Sequence, residues 1–121
     1  MSQRDDLGRL IDELESLLRQ SADLAQGLDG NRKRGIELRR EIGATIARIG
    51  SVGEGVFDEA GDQPAFRQEF SKLRSAMAFH QASWPIVAVE PENPDYITSV
   101  QSLRETNRNF ISWVRATLAA G

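Results

Sequence analysis

The sequence predicts an all-α fold, an antiparallel four-helix bundle made of two helical hairpins, and three observations carry that expectation. Apolar residues recur three or four apart over four stretches, at about 4–28, 31–59, 64–84 and 94–119. Glycines or a polar residue followed by proline separate those stretches. The 121 residues, 40% hydrophobic and 27% charged, match the size and composition of one globular domain, so residues 1–121 are read as a single helical unit.

The first stretch is the most regular. Leu7, Leu10, Leu14, Leu17, Leu24 and Leu28 follow a seven-residue repeat that only Ser21 interrupts, and Ile11, Leu18 and Ala25 widen the stripe. Such a stripe is a seam for another helix. Ser2 can cap its start, and Asp5 and Asp6 place negative charge at the positive end of the helix dipole. Gly27 and Gly30 then end it and turn the chain.

The second stretch carries Leu38, Ile42, Ile46, Ile49, Val52 and Val56 on one face, and the spacing continues through Gly50, Gly53 and Gly55. Each glycine costs a helix about 1 kcal/mol relative to alanine. Periodicity nonetheless favours one long helix, and small residues at 43, 50 and 53 would let a neighbour approach closely. Asp62-Gln63-Pro64 reads as a restart, with a capping side chain ahead of a proline in the first turn. Phe66, Phe70, Leu73, Met77, His80 and Trp84 form the third stripe, which stops at Trp84-Pro85. An extended, partly packed crossover bounded by prolines is expected at 85–93. Asn93-Pro94 repeats the restart, and Ile97, Val100, Leu103, Phe110, Ile111, Val114 and Leu118 form the last stripe, with Asn107 inside it.

Composition excludes several functions. A net charge of −3 argues against general binding of nucleic acid or anionic membrane. With no cysteine and one histidine, thiolate and protein-only zinc sites are ruled out or disfavoured, and no cofactor is expected. No eighteen apolar residues run together and the N-terminus lacks an apolar signal core, so the chain is expected to be cytoplasmic and off the membrane.

Charge is unevenly distributed. Residues 1–29 hold three arginines against seven acids, and residues 30–50 hold six bases against two acids, which suits two adjacent helices. The cluster Arg32, Lys33, Arg34, Arg39 and Arg40 is the one feature that points to phosphate contacts, though the interspersed acids and absence of aromatic residues favour a solvated or internally paired face. The acids Glu54, Asp58, Glu59, Asp62 and Glu69 match no EF-hand spacing.

His80 and Asn107 are polar residues inside apolar stripes. In an antiparallel pair of third and fourth helices they meet at similar depth, with Trp84, Tyr96 and Trp113 as neighbours. Two readings follow: a hydrogen-bonded pair that fixes register, as a buried asparagine does in coiled coils, or a small pocket with an aromatic wall. A lone histidine on a bundle helix also resembles phosphotransfer domains, but the lysine and glycine typical after their histidine are replaced by Gln81, Ala82 and Ser83.

No catalytic motif is present, and a non-enzymatic reading is expected: an adaptor, regulator or small chaperone that offers an apolar groove to a partner helix or pairs with its own copy as a homo-oligomer. In size, acidity and helical hairpins the chain resembles small secretion chaperones of the flagellar type, with no shared motif. Ser21 and the glycines from 50 to 55 are the expected weak points of the seam, where a partner would intrude. A His80 phosphotransfer module and a nucleic-acid-associated protein using Arg32 to Arg40 are the alternatives.

Overall fold

The computed structural model describes residues 2–120, with the backbone alone for Gln26, Asp29, Glu59 and Ala60. Four helices follow in order: α1 (Gln3–Leu24), α2 (Arg32–Ala60), α3 (Gln63–Ser83) and α4 (Pro94–Ala120). Single stretches of 3-10 helix follow α1, at Ala25–Gly30, and punctuate the crossover, at Ile86–Ala88. Each helix packs on the next, most extensively α1 on α2 and α3 on α4, and α4 returns against α1. The result is the expected bundle of two hairpins, with no strand among the described residues. Among those residues no helix is long and apolar enough to cross a membrane.

Local chemistry explains the boundaries. Ser2 caps α1 by accepting from the Asp5 amide at 3.1 Å, and Leu7, Ile11, Leu14 and Leu17 are buried along one face. True α-helix stops four residues earlier than the leucine repeat implies, because Gly27 leaves the helical region at φ −136°. The repeat is blind to that change, so Leu28 reaches a different part of the core from Leu7 to Leu17. Helix α2 ends at Gly61, whose φ of +80° is the left-handed conformation glycine adopts freely, and the Asp62 amide closes the turn on Phe57 O at 2.9 Å. Asp62 itself makes no side-chain cap, so the start of α3 rests on Pro64 in its first turn and on backbone bonds. Asn93 does cap, accepting from the Asp95 amide at 2.9 Å.

Helix α2 runs unbroken through Gly50, Gly53 and Gly55. A Cβ on Gly50 would stand 2.6 Å from the Phe70 ring, and one on Gly53 2.3 Å from the Phe66 ring. The rings occupy the volume that side chains would otherwise fill. Burying a phenylalanine contributes roughly 1.5–3 kcal/mol, enough to offset the helical cost of each glycine. At Gly53 the seam is closed by the buried Phe66, whereas at Gly50 the half-buried Phe70 borders a surface groove with Glu54 and Arg67. Gly43 has nothing within 4 Å of its Cβ position and does not share this role.

Phe57, Phe66, Phe70, Phe110 and Trp113 form one aromatic group in the main core, with Phe57 and Phe66 stacked at 5.0 Å and Trp113 at 5.2 Å from Phe57. Nearby, Arg115 of α4 holds Glu15 at 2.9 Å and Asp12 at 2.8 Å on α1, and Arg4 donates to the Leu118 carbonyl at 2.6 Å. Asp12 and Glu15 of α1 thus find their cationic partner on α4, while Glu13 accepts from Thr45 of α2 at 3.5 Å. Arg34 of α2 pairs with Glu37 and Glu41 of its own helix and reaches only the neutral Gln20 on α1.

A second, smaller cluster forms where the chain crosses over: Leu28, Val89 and Tyr96 are buried, with Trp84, Ile86 and Val100 packed around them. Arg32 at the start of α2 donates to the carbonyls of Ile86 and Val89, the latter at 2.9 Å, and so fastens the crossover to the first hairpin.

The glycine packing makes opposite predictions for two alanine substitutions. Gly53→Ala forces a methyl group into the Phe66 ring and is expected to destabilise by about 1–3 kcal/mol, whereas Gly43→Ala gains helix propensity in open space and is expected to stabilise by about 0.5–1 kcal/mol. Urea denaturation of both variants checks this, and a Gly53→Ala protein as stable as the parent would contradict the packing argument.

Candidate functional site

A cavity of about 100 Å³ separates the two apolar clusters. Leu18, Ile42, Met77 and Leu103 from the main core form one wall, and Leu28, Ile86, Tyr96 and Val100 from the smaller cluster form the other. All four helices contribute. The gap lies where Ser21 interrupts the leucines of α1 and the chain passes into 3-10 geometry at Ala25.

Into this cavity face His80, Asn107, Arg39, Gln81, Arg104 and Ser21. The imidazole of His80 is buried, only 7% exposed, and its Nδ1 shares a 2.7 Å hydrogen bond with Ser99 Oγ. Tyr96 lies beside it with ring centroids 5.9 Å apart, and Trp84 meets Tyr96 edge-on at 5.5 Å. Burial, and secondarily the Arg39 guanidinium, holds the His80 pKa below the ordinary histidine range. Asn107 is 5% exposed, and its Oδ1 is buried with no hydrogen-bond partner. An orphan acceptor of this kind costs about 1–3 kcal/mol. Arg39 is half-buried, and desolvation lowers its pKa although Tyr96 opposes the shift. It has no ion pair or hydrogen bond among the described residues.

The structure therefore brings His80, Asn107, Trp84 and Tyr96 to one place, but does not join the two polar residues directly. The partner of His80 is Ser99, a residue the sequence reading passed over. The signal was available: Ser99, Leu103 and Asn107 are four apart on α4 and share a face. Trp113 is elsewhere, in the aromatic group with Phe57 and Phe66. Six residues along a helix are roughly 9 Å, which puts it a layer away from Asn107.

The basic cluster also separates. Arg32 serves the crossover carbonyls, Arg34 pairs with Glu37 and Glu41, and Arg39 turns to the cavity, leaving Lys33 and Arg40 as its exposed members. Five bases close in sequence become several unrelated sites because they fall on different faces of one helix. Among the acids, Glu54 pairs with Arg67 and Glu69 with Lys72, while the side chain of Glu59 lies outside the described residues. Among the described residues no three histidine, aspartate or glutamate side chains converge as a metal site would need.

The cavity opens into a larger cleft of about 1140 Å³ between the end of α1 with its 3-10 extension and the first turns of α4. Ala22, Ala25 and Leu28 line one side and Tyr96, Ile97 and Val100 the other. Ile97 is 43% exposed there, a large apolar side chain held toward solvent. The cleft forms where α1 and α4 diverge, at the opposite end of their contact from Arg115 and Arg4. No family model, no curated protein and no solved structure matches this chain.

The depressed His80 pKa has a signed consequence. In the unfolded chain the imidazole takes up a proton near pH 6.5, whereas the folded protein keeps it neutral to lower pH. The unfolded state then binds more protons, so this contribution is full above about pH 6.5 and is lost as pH falls through the folded-state value. His80→Gln is expected to flatten that decline. Denaturation midpoints between about pH 7.5 and 5 measure it, and parallel pH profiles for parent and variant would contradict the assignment.

Proposed function

We propose that this chain is a non-enzymatic helical interaction protein, an adaptor, regulator or small chaperone, that receives an amphipathic helix of a partner or of its own copy in the cleft between α1 and α4. The observation that carries the reading is the cleft itself, which sets Ala22, Ala25 and Leu28 opposite Tyr96, Val100 and the exposed Ile97 and adds charged side chains, Glu90, Glu92 and Arg104, to its lining, a mixture that suits an amphipathic helix. Its volume of about 1140 Å³ is comparable to roughly two turns of a helix 10–12 Å across. Small side chains at Ala22 and Ala25 allow close approach, and Leu28, Tyr96 and Val100 supply an apolar floor.

The chemistry of the cavity supports the non-enzymatic part of this reading. Ser99 and His80 are in hydrogen-bond contact, as a nucleophile and base would be, but among the described side chains no carboxylate lines the cavity to orient the imidazole. Both residues sit inside helices whose backbone N–H groups are engaged in helical bonding, which leaves no pair of amides to hold an oxyanion. A buried imidazole is likewise a poor acceptor for a partner's phosphoryl group, which weighs against the phosphotransfer alternative.

A photo-crosslinking residue placed at Ile97 is expected to give one discrete adduct, either with a single partner or at twice the 13.4 kDa chain mass. The same residue at Ser102, exposed on α4 and well away from Ile97 around the helix, is expected to give none. A chain that remains at 13.4 kDa by light scattering and crosslinks no more from residue 97 than from 102 would overturn the proposal.

A further inference from the structure

The cavity carries an inference that goes beyond helix binding and stands independently of it. Three observations concern its ligand chemistry. Arg39 is half-buried with no ion pair or hydrogen bond among the described residues. Asn107 Oδ1 is a buried acceptor with no donor, on a residue 95% enclosed. Among the described side chains no aspartate or glutamate lines the cavity; a second cation, Arg104, stands where it joins the cleft, and Glu90 and Glu92 line the cleft beyond.

A half-buried guanidinium without a counterion is costly, and a carboxylate is the group that matches its paired donors. The orphan Oδ1 asks for an O–H or N–H. An ammonium group would stand beside Arg39 in a cavity that no acid lines among the described side chains, so the donor is a neutral group, of which a hydroxyl is the smallest. The wall formed by Leu18, Ile42, Met77 and Leu103 is apolar. An apolar protein cavity of about 150 Å³ admits benzene, so about 100 Å³ accommodates on the order of four or five non-hydrogen atoms, with further atoms extending into the cleft.

We propose that this cavity binds a short-chain hydroxycarboxylate, with its carboxylate on Arg39, its hydroxyl donating to Asn107 Oδ1, and its carbon chain against Leu18, Ile42 and Met77. Arg104 draws the anion toward the opening. His80, neutral and tied to Ser99, completes the wall and makes no ionic contact with the ligand. A phosphate fits less well, since its second charge and extra oxygens would meet apolar side chains in a space of this size.

The test compares three probes on the unaltered protein, followed by side-chain and backbone NMR shifts: 2-hydroxybutyrate, butyrate and 2-butanol. The hydroxy acid is expected to give saturable shifts centred on Asn107, Ser99 and His80. It should bind about tenfold more tightly than butyrate, which lacks the donor, and than 2-butanol, which lacks the charge. Arg39→Gln is expected to reduce hydroxy acid affinity at least about tenfold, and Asn107→Leu to remove the preference over butyrate. Equal affinity for hydroxy acid and butyrate would overturn the proposal, as would no saturable response up to about 20 mM. Because the comparison among probes uses the parent protein, a variant that fails to fold leaves it intact. Absence of a crosslinked partner at Ile97 would leave this site unaffected, and absence of hydroxy acid binding would leave the cleft proposal unaffected.

Discussion

The uninterrupted course of α2 from Arg32 to Ala60 is the constraint on which the other elements depend. It is the one helix that contacts α1, α3 and both 3-10 turns. Its glycines at 50 and 53 face the rings of Phe70 and Phe66, so the two hairpins interlock through ring against bare backbone at this level. A conventional aliphatic pair there would push α3 outward and, with it, Phe110 and Trp113 of α4, which pack on the same aromatic group. Local helix propensity is sacrificed for tertiary packing, the usual order of precedence in a bundle whose helices are stabilised by their buried faces.

The bundle is built differently at its two ends. Around Phe57, Phe66 and Trp113 it is aromatic and tightly filled, and Arg115 and Arg4 link α1 to α4 across its margin. Toward the crossover, polar side chains replace apolar ones: His80, Asn107 and Arg39, with Ser99 bonded to His80, border a gap that Leu18 and Leu24 of α1 line without filling. Dense packing at one end anchors the fold and permits imperfect packing at the other. Sites commonly arise in this way, since a polar constellation held by a rigid scaffold costs stability that the scaffold must supply.

How much of this was legible in the sequence follows from the range of the interactions involved. The four helices, the cap at Ser2 and the continuation of α2 through its glycines are encoded by spacing along one element, and spacing is visible in a string of residues. The meeting of His80 and Asn107 at one depth required only an antiparallel hairpin. Their actual partners did not follow from that, because hydrogen bonds are set by side-chain direction to within an ångström, and Ser99 took the position that the pairing with Asn107 would have required. The 3-10 segment after Leu24 was hidden because a leucine repeat persists whether or not the backbone stays helical, and only the Gly27 dihedral breaks it. Arg39 was legible as a charge and illegible as a cavity wall, since a cluster in sequence is spread by a helix over its whole circumference.

The attachment of the crossover has a consequence for motion. Arg32 and the small cluster of Leu28, Val89 and Tyr96 are the principal ties between the crossover and the first hairpin, and both tether segments more than fifty positions apart, 54 for Arg32 to Ile86 and 57 for Arg32 to Val89. The cluster is small, so releasing it exposes little apolar surface compared with opening the main core. Segments held in this way form the least stable cooperative unit of a protein and open while the rest stays folded. The 3-10 extension of α1, the crossover and the first turns of α4 thus form a door on a more densely packed frame, one whose amides are expected to exchange faster than those beneath the aromatic rings.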